Sequence, residues 1–276
     1  MHVARYALPR GGCWILLSAA LFPAVGAEAQ MLDPQPLRNT LVSEMGGAEV
    51  LWSNPAALGF GDDTALLGLV SFIPEPGETD AGFGQALLGA RMGGVGVGVR
   101  RERFQPDAGL DPVMGTGLTI SVGFGTDRFA AGVSNDQYRR GITSSRWDIG
   151  GMWRASNRVW VGAAWRDVAS PVVISQDREQ SVVGGVTVHS LNERIAISAE
   201  STLQGGSLVG YRALLRVHHA AADVRVSAEM DSDGVLRGFG LGFGYRIGAN
   251  RAFGTLERER EPASASSYML GAAREL

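Results

Sequence analysis

The feature that most constrains this chain is a two-residue alternation in which one face is apolar and the other is glycine or polar. Leu118, Ile120, Val122 and Phe124 alternate with Gly117, Thr119, Ser121 and Gly123. Val95, Val97 and Val99 alternate with Gly94, Gly96, Gly98 and Arg100, and Phe239, Leu241, Phe243 and Tyr245 alternate with Gly238, Gly240, Gly242 and Gly244. Ile195, Ile197 and Ala199 stand against Ala196, Ser198 and Glu200 in the same way. A period of two is the period of a β-strand with two unlike faces. About fourteen such strands can be read, at 64–72, 83–91, 93–103, 116–124, 127–135, 146–154, 158–167, 180–188, 194–202, 207–217, 222–230, 235–247, 250–257 and 266–275. Most are near the ~9–11 residues that a tilted membrane strand needs.

The connections carry a second pattern. Short polar turns recur at 126–128, 156–158, 191–194 and 249–251, with a looser copy at Asp223 and Arg225. The Asp or Asn residues 127, 157, 192, 223 and 250 are 30, 35, 31 and 27 apart, one strand pair per period. Asn and Asp supply tight turns. The intervening connections, at 73–82, 104–115, 136–145, 168–179 and 258–265, are longer and more variable. Short turns on one rim and longer loops on the other are the pattern of a membrane barrel. A soluble β-sandwich also alternates, but it would have to occur twice without a linker, and its wet face has no use for glycine. The expected fold is therefore all-β: a transmembrane antiparallel barrel of about fourteen strands.

The N-terminus fits export. Arg5 and Arg10 precede an apolar stretch from Cys13 to Val25, and Ala27-Glu28-Ala29 has the small-x-small form of a cleavage site. A signal peptide is expected over 1–29. Thirteen apolar residues interrupted by Pro23 are too few for a membrane helix. Cys13, the single cysteine, excludes a disulfide framework, and its place at the start of the apolar stretch argues against lipidation. With 25 basic residues, all Arg, against 28 acidic ones, the formal charge of −3 gives no general pull toward nucleic acid.

Ahead of the first strand, residues 43–58 break the alternation. Asn54 followed by Pro55 is a helix start, with Asn as cap and Pro at the first helical position. Gly46-Gly47 permits a bend, and Trp52 can anchor the segment to a wall. The barrel lumen is the expected place for this compact element. Met45-Gly46-Gly47-Ala48 followed by Trp52-Ser53-Asn54-Pro55-Ala56-Ala57-Leu58 resembles the segment that precedes the fourteen-stranded barrel of the FadL and PorV-like outer-membrane families. The resemblance implies that residues 30–62 form a plug and 63–276 the barrel. It further implies that Met45, Gly46, Gly47, Ala48, Trp52, Asn54, Pro55, Ala56 and Leu58 belong to a gate. In FadL-type members the plug gates diffusion of hydrophobic molecules; in PorV-type members the barrel assists protein secretion.

By alternation, the lumen face carries Arg100, Glu102, Arg166, Arg194, Glu200, Arg212, Arg216, Arg225, Glu229 and Arg246. These arginines either pair with carboxylates and the plug or draw the anionic end of a solute. Trp160, Trp165, Tyr211, Tyr245 and Tyr268 read as interface girdle or wall packing. The glycine runs at 94–98 and 238–244 lie within strands and open no helix, so they do not make a nucleotide loop. Asp231-Ser232-Asp233-Gly234 reads as a hairpin turn rather than a calcium loop. His189, His218 and His219 have no partner that spacing assigns, so no enzyme, cofactor or metal is expected. The expected location is the bacterial outer membrane. The expected function is passive passage of small hydrophobic or amphipathic molecules, with membrane lipid and such a solute as partners. A non-transporting scaffold with a secretion-complex protein as partner is the alternative.

Overall fold

The computed structural model describes residues 40–44, 47–74, 81–104, 113–139, 144–168, 172–173, 176–177, 179–190, 192–259 and 267–276. The expected signal peptide, Met45 and Gly46 lie outside the described residues. Sixteen strands follow two short helical pieces. They are β1 (Thr64–Pro74), β2 (Ala81–Met92), β3 (Val95–Phe104), β4 (Val113–Gly125), β5 (Phe129–Arg139), β6 (Ser144–Ser156), β7 (Val159–Val168), β8 (Val172–Val173), β9 (Gln176–Asp177), β10 (Ser181–Ser190), β11 (Ile195–Gln204), β12 (Ser207–His219), β13 (Ala222–Asp231), β14 (Leu236–Ile247), β15 (Asn250–Glu259) and β16 (Ser267–Glu275). Fourteen of them form one closed antiparallel barrel in sequence order, and β16 pairs with β1 to close it. β8 and β9 make a separate two-stranded ladder that alternation does not reveal. Closure removes both sheet edges, so each of the fourteen barrel strands has two neighbours.

The alternation maps onto the wall as expected. In β4, Leu118, Ile120, Val122 and Phe124 are 39%, 45%, 42% and 68% exposed on the outside, whereas Thr119 and Ser121 are buried inside. Among the described residues no helix is long and apolar enough to cross a membrane; the apolar outer wall is made by strands.

Tight turns join strands at one rim, with left-handed backbone at Gly93, Asn192, Glu193, Ala220 and Gly248. This is called the short-turn rim below. One expected turn is displaced. Ala220 and Ala221 make the bend between β12 and β13, and Asp223 is a wall residue whose carboxylate meets Arg225 (3.1 Å) and Arg251 (2.7 Å). The left-handed conformation at Ala220 was not foreseeable from residue type, because alanine rarely adopts it. At the opposite rim, Asp231 accepts from the backbone N–H groups of Asp233 (3.0 Å) and Val235 (2.9 Å), the hairpin turn expected there.

Residues 40–44 and 47–60 do not join the sheet. They contain one helical turn, Val50–Ser53, and a 3-10 turn, Pro55–Phe60, which lie against the inner faces of the wall. Inner-face glycines make that possible. A Cβ on Gly96 would strike Leu51, on Gly98 Trp52, on Gly132 Pro55, on Gly150 Asn54 and on Gly162 Val42. Leu41, Val42, Ala48, Val50, Ala56 and Leu58 are fully buried as a result.

Gly150 and Gly151 separate the two sides of the wall cleanly, since nothing lies within 4 Å of a Cβ built on Gly151. Gly150→Ala is expected to destabilise the folded barrel by about 1–3 kcal/mol through overpacking. Gly151→Ala is expected to stay within about 0.5 kcal/mol of the parent. Urea unfolding of the two variants in detergent, followed by tryptophan fluorescence, measures the difference.

Candidate functional site

The barrel interior is the candidate site, and the inner segment is its centre. Asn54 is fully buried and does two jobs. Its Oδ1 accepts from Ala56 N–H (3.0 Å), capping the 3-10 turn that Pro55 opens. Its Nδ2 donates to Val42 O (2.7 Å) and reaches the wall at Gly151 O (3.3 Å) and Ala163 O (3.4 Å). Trp52 donates from Nε1 to Thr119 Oγ1 (2.8 Å), while Ser121 donates to Leu51 O (3.4 Å). Arg166 donates to Ser53 O (3.3 Å) and Arg91 to Gly47 O (3.5 Å). Farther round, Val42 N–H donates to Glu200 (3.0 Å), and the Ser43 and Thr187 hydroxyls share a hydrogen bond of 2.8 Å. Gly47 has φ +31°, and a Cβ there would strike Glu49, so the bend requires glycine.

Toward the longer loops, a charged network stands on the inner wall of β3–β7. Thr119, which receives the Trp52 hydrogen bond, donates in turn to Asp136. Asp136 pairs with Arg100 at 2.8 Å, and Arg100 lies 3.6 Å from Glu102. Glu102 also accepts from Tyr138 (2.9 Å) and Gln85 (3.3 Å). Arg146 links Asp136 (3.8 Å), Asp148 (3.0 Å) and Asp167 (3.0 Å). Buried charges persist only when paired, and this cluster pairs opposite signs on neighbouring strands, although Arg100 Nε and Asp167 Oδ1 have no hydrogen-bond partner among the described residues. Asp167 has φ +53°, and the β6–β7 register slips between Trp147 and Ile149. That bulge turns the consecutive residues Arg166 and Asp167 both inward, which strict alternation forbids.

The far half of the interior, on β12–β16 and β1, is less filled. Arg216 meets Glu44 of the segment at 3.3 Å. Beside that pair lies a cavity of about 210 Å³, between Thr40, Glu44, Gly47 and Glu49 of the segment and Arg216, Arg225, Arg251 and Glu275 of the wall. Two cavities of about 20 Å³ each lie on the same side. One is lined by Leu67, Gly242, Phe253, Thr255 and Met269, the other by Arg212, Ser227, Glu229, Gly238 and Glu257. A space of that size holds about one water molecule. The space lined by Leu67, Phe253 and Met269 is narrow beside the 210 Å³ cavity, with which it shares Thr40, Glu49, Arg225 and Arg251 as lining residues.

Among the expected site residues, Gly47, Ala48, Trp52, Asn54, Pro55, Ala56 and Leu58 stand together inside the barrel. Arg100, Glu102, Arg166, Glu200, Arg212, Arg225 and Glu229 face inward as well. Glu200 and Arg212 pair across β11 and β12 at 3.2 Å. Two expected lumen residues are not wall residues at depth. Arg194 is exposed in the turn before β11, because that strand begins only at Ile195. Arg246 is 47% exposed at the short-turn rim, 3.3 Å from Glu275. Trp160 faces inward rather than into a girdle: it packs edge-on against Phe60 with 5.1 Å between ring centroids, under the Arg154 guanidinium at 4.7 Å. Asp136, Arg146, Asp148 and Asp223 were missed; each falls on the inner phase of its strand, and that parity was the available signal.

No protein-family model matches the chain, and no curated protein matches it in sequence. Solved structures do match. The Ralstonia pickettii toluene transporter TbuX superposes with a TM-score of 0.59 at 13% identity, covering 83% of this chain and 92% of its own. The Pseudomonas putida toluene transporter TodX superposes with a TM-score of 0.59 at 12% identity, covering 87% of this chain and 96% of its own. The chain therefore has the fold of outer-membrane β-barrel transporters.

Asp136→Asn is expected to cost about 3 kcal/mol of stability, because it leaves the buried Arg100 short of its nearest counter-charge. Replacing both, Arg100→Met with Asp136→Leu, is expected to recover part of that loss, since the buried guanidinium goes with its partner while Glu102 keeps only its hydrogen bonds from Tyr138 and Gln85. The urea midpoints of the three proteins in detergent report both effects.

Proposed function

We propose that the protein is an outer-membrane channel for passive passage of small hydrophobic or amphipathic molecules, with the inner segment, part of a plug over 30–62, as its gate. The observation that carries this reading is the uneven seating of the segment. It fills the glycine-lined faces of β3–β7, yet cavities remain along β12–β16, beside the inner glycines of β14. The reading places the route on that side. Leu67, Phe253 and Met269 offer an apolar constriction, and Arg212 and Arg225 offer partners for a carboxylate at the polar end of a solute. Gly47 supplies the bend at which the segment swings away from the constriction. The resemblance in residues 45–58 and the transporter fold both agree with this role.

A second reading, a scaffold for a secretion or envelope complex, draws on one observation. At the rim opposite the short turns, Gly205-Gly206 and residues 232–235 are tight turns that offer little surface for capturing a solute. That reading expects a stoichiometric protein partner to survive gentle extraction.

Deleting residues 43–58 is expected to raise passage of a small aromatic hydrocarbon into proteoliposomes at least tenfold. Gly242→Leu, on the proposed route, is expected to lower it severalfold while heat-modifiable migration shows an intact barrel. Unchanged passage in the deletion would show that the segment is no gate. Unchanged passage in Gly242→Leu would move the route elsewhere.

A further inference from the structure

The outer wall carries a depression that neither the fold nor the proposed passage requires. Across β14, β15, β16, β1 and β2 the register aligns Tyr245, Ala252, Ala272, Gly68 and Leu88 in one row. Three small residues in succession therefore lie between Tyr245, 56% exposed, and Leu88, 67% exposed. A Cβ added to Gly68 would meet nothing within 4 Å. The space above these residues is about 700 Å³ and almost wholly apolar, inside the ~300–1,000 Å³ range of small-molecule sites. From β14 to β2 it spans ~19 Å at ~4.8 Å per strand, room for two acyl chains side by side.

The next row toward the short-turn rim aligns Ile247, Asn250, Arg274, Leu66 and Ala90. Arg274 is exposed on this outer face and has no ion-pair partner among the described residues. Its neighbour Glu275 is on the inner phase, engaged with Arg246. An unpaired guanidinium at the membrane edge of an apolar depression matches a phosphate diester attached to acyl chains.

We propose that this depression binds one phospholipid of the leaflet at the short-turn rim, with its acyl chains on Ala252, Ala272 and Gly68 and its phosphate on Arg274. Short turns lie on the periplasmic side of such barrels, where the leaflet is phospholipid. A second copy of the chain fits less well. Its convex wall would rest on Tyr245 and Leu88 and leave the space between them empty, which forfeits contact. Flexible acyl chains fill it.

The test is native mass spectrometry of the protein purified from its own membrane and washed with excess mild detergent. The expected result is one phospholipid per barrel in the parent. Ala272→Leu and Gly68→Leu, which fill the depression from the lipid side, should retain at least tenfold less. Arg274→Gln should retain at least threefold less without altering the wall. Equal retention in all four proteins overturns the site, as does a lipid-free dimer or retention of lipopolysaccharide instead. Heat-modifiable migration of each variant shows that the barrel is intact, and Arg274→Gln decides the matter if a filled variant does not insert. Passage assays on the same proteins read the gate separately, so failure of one proposal leaves the other standing.

Discussion

The close approach of the inner segment to the wall rests on missing side chains. A strand pair brings Cβ atoms inward at every second residue, and where the segment lies closest to the wall those atoms would collide with it. Gly96, Gly98, Gly132, Gly150 and Gly162 remove the obstacle where Leu51, Trp52, Pro55, Asn54 and Val42 lie. The approach then lets backbone carbonyls of the wall, at Gly151 and Ala163, accept directly from Asn54. Glycine weakens a strand by roughly 0.5–1 kcal/mol relative to alanine, so such rows persist only where the space is used. Burial of Leu51, Leu58 and Trp52 offsets that cost, at roughly 1.5–3 kcal/mol for each large apolar side chain.

Electrostatics divides the interior further. On β3–β7 the charges pair with one another: Arg100 with Asp136, and Arg146 with Asp148 and Asp167, and the set is tied to Trp52 through Thr119. Moving the segment on that side would strip hydrogen bonds from buried groups, each worth about 1–3 kcal/mol when left unmade. On β12–β16 the contact is Arg216 with Glu44, an ion pair whose arginine is 25% exposed beside a cavity. The arginine of that pair reaches the cavity, while its Glu44 partner is buried at 3% exposure and also accepts from Leu41 N–H (3.2 Å).

Much of this was legible in residue order. The apolar phase is continuous through long strands, and lipid on one side with a filled lumen on the other imposes it at nearly every position. Hence the fourteen strands were readable to within a few residues, and so was the Asn54-Pro55 start, whose capping chemistry is local. What escaped were departures from local rules. The bulge at Arg166 and Asp167 breaks parity because an ion pair with Arg146 and a hydrogen bond from the Asp167 backbone N–H to the Asp148 carboxylate hold a left-handed aspartate. The Ala220-Ala221 turn carries none of the residues that announce a bend. For Trp160, read from residue type as girdle or wall packing, parity within Val159–Val168 already turned it inward, onto Phe60.

The inner glycines of β14 are the instructive contrast. They belong to the same pattern as those of β3–β7, yet at Gly242 and Gly244 the near neighbours are strand residues. A Cβ on Gly242 would lie 3.4 Å from Arg225 and Thr255 and 3.6 Å from Gly254 of the neighbouring strands, and one on Gly244 would meet Asp223. Those strands place their long side chains across the glycine face, so β14 makes room for arginine and aspartate rather than for backbone. Arg225 and Arg251 converge on the carboxylate of Asp223. The adjoining cavity of about 210 Å³ is bordered by charges of both signs, Glu44, Glu49 and Glu275 beside Arg216, Arg225 and Arg251, and it is large enough to hold water. Under the proposed function, the glycine face, the arginines and the cavity together mark the side of the barrel along which a solute with a charged end would pass.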